Sequence, residues 1–379
     1  MDGSYTEVDQ GDENDDDEYP DIMSPMSNKR LKVSDINISR YINRFLHILI
    51  FFNWSQFGCD DMKIKDLFSR YEEEFVELDK IASGQFGVVK KARHRLDGMV
   101  YAIKMTKKPL RDNTRSEKTA MKEIFAGAAM MKHKHIVRYY NSWVENRTVF
   151  IQNEFCDGGS VQRMLEQHRR DGCHVSEETL WRLMSDVSSG LQYVHSKHLA
   201  HMDVKPDNIL ICSGDQVLTS GDDTGDTHLV TFKLADFGHV VPTYGEDVEP
   251  EEGDCRYMAP ELLSLSIERS GLTCADIFSL GLTCYEVASL RVMPRNSLDD
   301  PEYFNIKNGI IPRVDRYSDS VNTLIADMVT VDPGSRPTAA HVVKCCQKMC
   351  GTRNRRKLYK ELEQTKEKLN FLENKLLHA

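Results

Sequence analysis

From Phe75 onward the chain takes on regular hydrophobic patterning. Phe75–Ile81, Val88–Arg95, Met99–Met105 and Val149–Glu154 alternate or cluster β-branched and aromatic residues, as strands with one buried face do. A turn signal, Asp97-Gly98, separates two of them. Together they predict a small antiparallel sheet. Between its strands, Ser116–Met131 places apolar residues three and four apart and predicts a helix. After Ser176 the helical period dominates, over Thr179–Ser196, Cys274–Ser289 and Val321–Val329. Gly158-Gly159, just past a strand, is a natural hinge between a sheet-built first lobe (75–157) and a mainly helical second lobe (158–346). The expected fold class is α+β, with two lobes.

Outside that region the pattern weakens. Residues 1–32 carry ten acids before the first lysine and few apolar positions, too little burial to offset the entropy of an ordered backbone. An acidic, largely disordered region with a short apolar insertion is expected over 1–74. Within it, Ser24-Pro25 and the basic run Asn28–Lys32 read either as a phosphosite and a weak nuclear-import signal or as plain solvated tail. Tyr41–Trp54, containing the apolar octet Phe45–Phe52, reads as a docking helix or as an aggregation-prone strip, and no function is assigned to it. At the other end, Leu358, Leu362, Leu369, Leu372 and Leu376 fall on heptad positions, with Thr365 in the weak slot. Residues 353–379 therefore read as a short coiled coil capable of weak self-association, or as a partly helical solvated tail.

Composition narrows the function classes. Over 379 residues the chain is 40% hydrophobic and 28% charged, as ordinary globular proteins are. A net charge of −10 opposes a general nucleic-acid binder, which needs a basic surplus to displace counterions. The apolar octet is far shorter than the roughly 20 residues of a membrane helix, so no membrane span is expected, and no signal peptide is read at the acidic start. Ten cysteines without a paired metal-ligand spacing suit a reducing compartment.

The candidate chemistry lies at fixed intervals along the patterned region. Ala82-Ser83-Gly84-Gln85-Phe86-Gly87-Val88-Val89 is a glycine-bearing hairpin between two strands, able to bring backbone amides to nucleotide phosphates. Alone, two glycines in a hairpin usually mean only a turn. Lys104 ends the next strand, where a cation can reach phosphates, and Glu123 on the following helix can pair with it. Taken singly, each is an ordinary solvated charge. His201-Met202-Asp203-Val204-Lys205-Pro206-Asp207-Asn208 is much more specific. It offers a carboxylate to take a hydroxyl proton (Asp203), an ammonium to neutralise a moving phosphoryl group (Lys205) and an amide oxygen for a metal (Asn208). Asp236-Phe237-Gly238 adds a second metal-binding carboxylate.

With Ala259-Pro260-Glu261 these elements stand in the order of the protein-kinase signature set, and the chain resembles a eukaryotic protein kinase over about 75–346. The resemblance implies the bilobal kinase fold, ATP and Mg2+ as cofactors, and a structural aspartate and arginine at Asp276 and Arg336. It places Ile81, Ala82, Gly84, Gly87 and Val89 around the nucleotide from the loop side, and Ala102, Lys104 and Glu123 behind it. Asn153, Glu154 and Cys156 fall at the lobe connection. Asp203 and Lys205 are the implied catalytic residues, and Asn208 and Asp236 the implied metal ligands.

Within that family, Arg138–Trp143, Ile151–Cys156, His201-Met202-Asp203, Gly238-His239, Glu252-Gly253-Asp254 and Pro294-Arg295-Asn296 together resemble the Wee family of mitotic-inhibitor kinases. That resemblance implies a nuclear enzyme, or one also present in the cytoplasm. It would phosphorylate an inhibitory tyrosine in the glycine-rich loop of a cyclin-dependent kinase–cyclin complex and so restrain mitosis or meiosis. Lys205 by itself is a serine/threonine-kinase feature, so dual specificity stays open, as does a serine/threonine kinase of another pathway. A pseudokinase scaffold is disfavoured because Lys104, Asp203 and Asp236 are all present.

Two departures carry inferences. Ala82 stands at the first loop glycine. Met202 stands where many kinases carry an arginine that receives an activation-loop phosphate. The segment 245–254 already holds six acids, so it is expected to be ordered by fixed charge, with Asp254 near Lys205 and no need of phosphorylation.

Overall fold

The computed structural model describes residues 69–83, 87–106, 115–130, 132–213, 230–244, 253–263, 271–295, 300–349 and 365–366. The acidic segment 1–32, the apolar Tyr41–Trp54, the loop residue Gly84, the acidic run 214–226 and most of 245–254 lie outside them. So does the heptad segment apart from Thr365 and Lys366, which are helical.

The first lobe is built on five antiparallel strands: β1 (Phe75–Ser83), β2 (Gly87–His94), β3 (Val100–Thr106), β4 (Tyr139–Glu145) and β5 (Thr148–Glu154), in the order β1-β2-β3-β5-β4. Four match the sequence reading within a residue or two. β4 was not read as a strand. Its burial pattern has no clean alternation, because Tyr139, Asn141, Ser142 and Trp143 are all half-buried. A short helix, α1 (Arg70–Glu74), precedes the sheet, and Tyr71 drops from it onto Phe75 and Phe150. Trp143 stacks between Phe75 (5.9 Å) and Phe150 (5.1 Å), completing an aromatic core. Each such ring pair adds about 0.5–1.5 kcal/mol beyond area burial. On the other side of the sheet lies α2 (Arg115–Ala129), where Ala120 packs with Val149 and Ile151.

The second lobe centres on α5 (Leu272–Ser289), of which fifteen residues from Leu272 to Ala288 are buried. Such a helix is enclosed on every side, its Asp276 and Glu286 carboxylates included. It packs against α4 (Glu177–Ser196) and α7 (Asp319–Met328). α3 (Val161–Asp171), α6 (Pro301–Lys307) and a helix over 339–349 complete the lobe. α3 escaped the sequence reading because only Val161 and Leu165 of its eleven residues are buried, too few to show a period. Its ends are nevertheless marked, since the Ser160 hydroxyl accepts from Arg163 N–H and Gly172 closes it at φ 63°. Between the lobes, Gly158 N–H donates to Ile211 O at 2.9 Å. This seats the Gly158-Gly159 link on the hairpin β7 (Ile209–Ser213) and β8 (Val230–Leu234) of the second lobe. A two-strand ladder, β6 (Leu199–Ala200) with β9 (Val241–Pro242), brackets the loops that carry the candidate site. Among the described residues no helix is long and apolar enough to cross a membrane.

Candidate active site

Strand register aligns the first half of the site. Antiparallel pairing sets Ala82 opposite Val89, Val89 opposite Lys104 and Ala102 opposite Asn153, so residues far apart in sequence lie side by side across β1, β2, β3 and β5. Ile81 is among the exposed large apolar side chains, and Cys156 is buried where the chain leaves the sheet. Gly87 has a packing reason of its own: a Cβ there would collide with the Met105 carbonyl across the ladder. Glu154 turns its carboxylate away to Lys233 Nζ at 2.5 Å and accepts from Arg138 N–H at 3.1 Å.

Lys104 and Glu123 come together, and Asp236 joins them. Lys104 Nζ lies 2.6 Å from Glu123 Oε2 and 3.2 Å from Asp236 Oδ1. Burial alone would lower the pKa of this ammonium, yet the Asp236 and Glu123 carboxylates reverse the effect and hold it above its ordinary value. Asp236 is likewise penalised by burial, but Lys104 and the Gly238 N–H bring it down to about 2. A full positive charge and a full negative one therefore face each other in the cleft at neutral pH. Asp236 has φ 60°, a left-handed conformation that directs its Oδ1 back onto its own Gly238 N–H at 3.3 Å. Buried Phe237 anchors this turn against the His201 ring at 5.1 Å.

The second half of the site is one continuous network. Asp203, 7% exposed, accepts from Lys205 Nζ at 2.9 Å and from Asn208 Nδ2 at 2.7 Å. The loop carrying it hangs from Asp276, which is 1% exposed and accepts both His201 N–H and Met202 N–H at 2.8 Å. His195 Nε2 lies 2.9 Å from the same carboxylate. Two further bonds join the halves: His201 Nε2 to Ala235 O at 3.1 Å, and Ala235 N–H to Asn208 O at 2.9 Å. Ala235 immediately precedes Asp236, so the loops of Asp203 and Asp236 are stitched together.

A model of the protein kinase domain matches residues 75–346. The chain belongs to the protein kinase family. Its kinase domain is Wee1-like: the chain is 37% identical over 319 residues to Wee1-like protein kinase 2 of Xenopus tropicalis, covering 83% of this chain and 55% of that one. It is 38% identical over 330 residues to the Wee1-like protein kinase of Drosophila melanogaster, covering 82% and 52%. Against Wee1-like protein kinase 2 of Sus scrofa the identity is 38% over 284 residues, covering 73% and 49%. The chain thus spans about half the length of the relatives it matches.

ATP and Mg2+ are the general requirements of a kinase domain, and the donor set of this kinase fits them. Mg2+ is a hard cation that takes one or two protein oxygens and keeps the rest for phosphates and water. Asn208 commits its Nδ2 donors to Asp203 O and Oδ2, which leaves the amide oxygen as its acceptor. Asp236 commits Oδ1 to Lys104 and Gly238 and keeps a second oxygen. Among the described residues no cluster of three His, Cys, Asp or Glu side chains is arranged for a metal.

Past the cleft, Asp254 pairs with Arg256 at 2.6 Å and lies 3.9 Å from Lys205 Nζ, where fixed charge was expected. Several groups that organise this side were not foreseen. Tyr257 donates its hydroxyl to Glu286 at 2.5 Å, and Glu286 is held in turn by Arg169 at 2.7 Å. Lys307, 5% exposed, donates to the carbonyls of Arg256 (3.0 Å) and Met258 (2.6 Å). No local motif marks these groups, because their partners lie dozens of residues away.

Proposed function

We propose that this kinase transfers the γ-phosphoryl group of ATP to a protein hydroxyl, and that its substrate is a tyrosine in the glycine-rich loop of a cyclin-dependent kinase–cyclin complex. The observation that carries the transfer is the joining of Lys104, Asp236 and Asp203: a direct ion pair between the first two, and hydrogen bonds through Ala235 to the loop of the third.

Each residue then has a defined task. Asp203 accepts the proton of the attacking hydroxyl as the new P–O bond forms, and Lys205, already bonded to Asp203, faces the charge developing on the transferred group. Lys104, held by Glu123, offers its ammonium to the phosphates that stay behind. Asn208 and Asp236 would hold Mg2+, which supplies charge neutralisation across the phosphates. Ile81, Ala82, Val89 and Ala102, with Asn153, Glu154 and Cys156 at the lobe connection, frame the base and sugar; Gly84 and Gly87 are the glycines the sequence assigns to the phosphate side.

The substrate assignment rests on Wee-type likeness in the residues quoted from the sequence and on the Wee1-like relatives. Restraint of entry into mitosis or meiosis follows from it, and a nuclear site of action belongs to the same reading. The test is incubation of purified protein with labelled ATP, Mg2+ and a cyclin-dependent kinase–cyclin complex, followed by mapping of the label. Label on the loop tyrosine supports the reading. Label confined to serine or threonine elsewhere replaces it with a serine/threonine kinase of another pathway.

A further inference from the structure

We propose that Lys307 is a positioning residue for the protein substrate: by holding the backbone of residues 256–258 it fixes one wall of the acceptor site beside Asp203, and it takes no part in binding nucleotide. The claim rests on the reading above, in which a protein hydroxyl is brought to Asp203.

The loop it holds starts at the proton-accepting carboxylate. Gly253 lies so close that a Cβ on it would meet Met202 O at 2.9 Å, Asp203 Oδ1 at 3.7 Å and Met258 Cε at 3.9 Å. Asp254 follows, 3.9 Å from the Lys205 ammonium that bonds Asp203. A hydroxyl-bearing side chain that reaches Asp203 therefore comes against 253–258, and its alignment depends on where that backbone stands.

The loop closes one turn of its own, with the N–H groups of Tyr257 and Met258 both donating to Asp254 O at 3.0 and 3.2 Å. The carbonyls of Arg256, Tyr257 and Met258 are satisfied from elsewhere in the second lobe. Lys307 Nζ donates to Arg256 O at 3.0 Å and to Met258 O at 2.6 Å, while Ser279 Oγ donates to Tyr257 O at 3.0 Å. Lys307 thus spans two of three consecutive carbonyls.

The surroundings of Lys307 commit it to this task. It ends α6, and its amine lies 5.2 Å from the ring centre of Tyr303 and 5.6 Å from that of Phe278, both buried. A surface lysine would keep its donors in water; at 5% exposed, Lys307 has exchanged hydration for two backbone carbonyls. The groups assigned to phosphate and metal have other partners: Lys104 bonds Glu123, Asn208 bonds Asp203, and Asp236 bonds Gly238 N–H. Loosening 256–258 should therefore act on the protein acceptor and spare nucleotide.

The test uses the full-length protein as Lys307→Met, Lys307→Arg and Ser279→Ala. It reads steady-state transfer to a cyclin-dependent kinase–cyclin complex at saturating ATP, equilibrium affinity for a fluorescent ATP analogue, and hydrogen exchange at the amides of Tyr257 and Met258. Methionine fills the space of the lysine stem but has no donor, so two buried carbonyls lose their partner. The expected result is a KM for the protein substrate raised on the order of tenfold in Lys307→Met and about threefold in Ser279→Ala, with nucleotide affinity unchanged and exchange at both amides faster. Lys307→Arg, whose guanidinium can still donate to two carbonyls, should bring KM and exchange back close to native. An unchanged KM in Lys307→Met, a nucleotide affinity that falls in step with KM, or an arginine variant as impaired as the methionine one overturns the proposal. A native protein that binds nucleotide yet labels no protein overturns the substrate reading instead, and the exchange comparison then still decides whether Lys307 anchors the loop.

Discussion

Arg336 and Glu261 meet as a two-pronged ion pair, Nη1 to Oε1 at 2.6 Å and Nη2 to Oε2 at 2.8 Å, with the arginine side chain wholly buried. The guanidinium also donates to the carbonyls of Thr330, Cys274 and Val331, so all its hydrogen-bonding edges are occupied. The pair ties the turn Pro260–Leu263 to α5 at Cys274 and to the loop at Thr330 and Val331. Removing Glu261 would leave an unpaired charge inside the lobe, which typically costs 3–5 kcal/mol, and Glu261 is itself partly exposed. Glu261→Ala is expected to lose about 3 kcal/mol in denaturant titration. Unchanged stability would show that the pair contributes little beyond its carbonyl contacts.

Lys104 is the hub of two carboxylates, so its loss should act on chemistry more than on folding. Lys104→Met is expected to lower kcat by about 10²–10³, the range found when one preorganised electrostatic donor is removed. Steady-state kinetics check it. A fall in KM alone would contradict the assigned role.

Strands β1, β2, β3 and β5, the three long helices and the meeting of Lys104 with Glu123 were legible because their signals are local. Period-2 runs mark β1, β2, β3 and β5, and the octet around Asp203 is contiguous in sequence. The structure was needed where the determining partner is distant. α3 buries only two residues on the core, and β4 shows no alternation. Glu286 gains its meaning from Arg169 and Tyr257, and Lys307 from the carbonyls of Arg256 and Met258. Ala82 and Met202 were legible as departures from a pattern. That Met202 adopts φ 67° while donating to Asp276 has no signal in the sequence.

Lys307 supplies a pH dependence. Burial lowers its pKa from 10.5 to about 7, against the pull of Cys255, Asp254 and Glu261. A neutral amine still has donors for the carbonyls of Arg256 and Met258. Because the folded-state pKa lies below the unfolded one, the unfolded chain holds more protons between pH 7 and 10.5, and stability attributable to this group rises with pH across that window. The slope is at most about 1.4 kcal/mol per pH unit. Denaturation of native protein and Lys307→Met from pH 7 to 10 should show the difference growing in that direction. Parallel curves would refute it.

Asp254 already sits against Arg256 and 3.9 Å from Lys205, so fixed charges meet beside the Asp203 loop. Phosphatase-treated protein is therefore expected to keep its full transfer rate, and Asp254→Asn to lose about tenfold. Loss of activity after phosphatase treatment alone would mean that fixed charge is insufficient.

Gly253 packs so closely on the loop of Asp203 that a Cβ would lie 2.9 Å from Met202 O and 3.7 Å from Asp203 Oδ1. Gly253→Ala must displace backbone, and misplacement of about 1 Å near reacting atoms can cost 10²-fold. The expected outcome is reduced kcat with nucleotide affinity retained, read by comparing turnover with equilibrium nucleotide titration. Equal loss of both would indicate general damage to the fold.

The most direct measurement compares native protein with Asp203→Asn for two quantities in one preparation: equilibrium binding of Mg2+–ATP, and transfer of labelled phosphate to a cyclin-dependent kinase–cyclin complex. Asparagine keeps the size of Asp203 but cannot take a proton. The expected result is unchanged nucleotide binding with transfer reduced by about 10²–10⁴. Transfer at the native rate by Asp203→Asn would contradict the account.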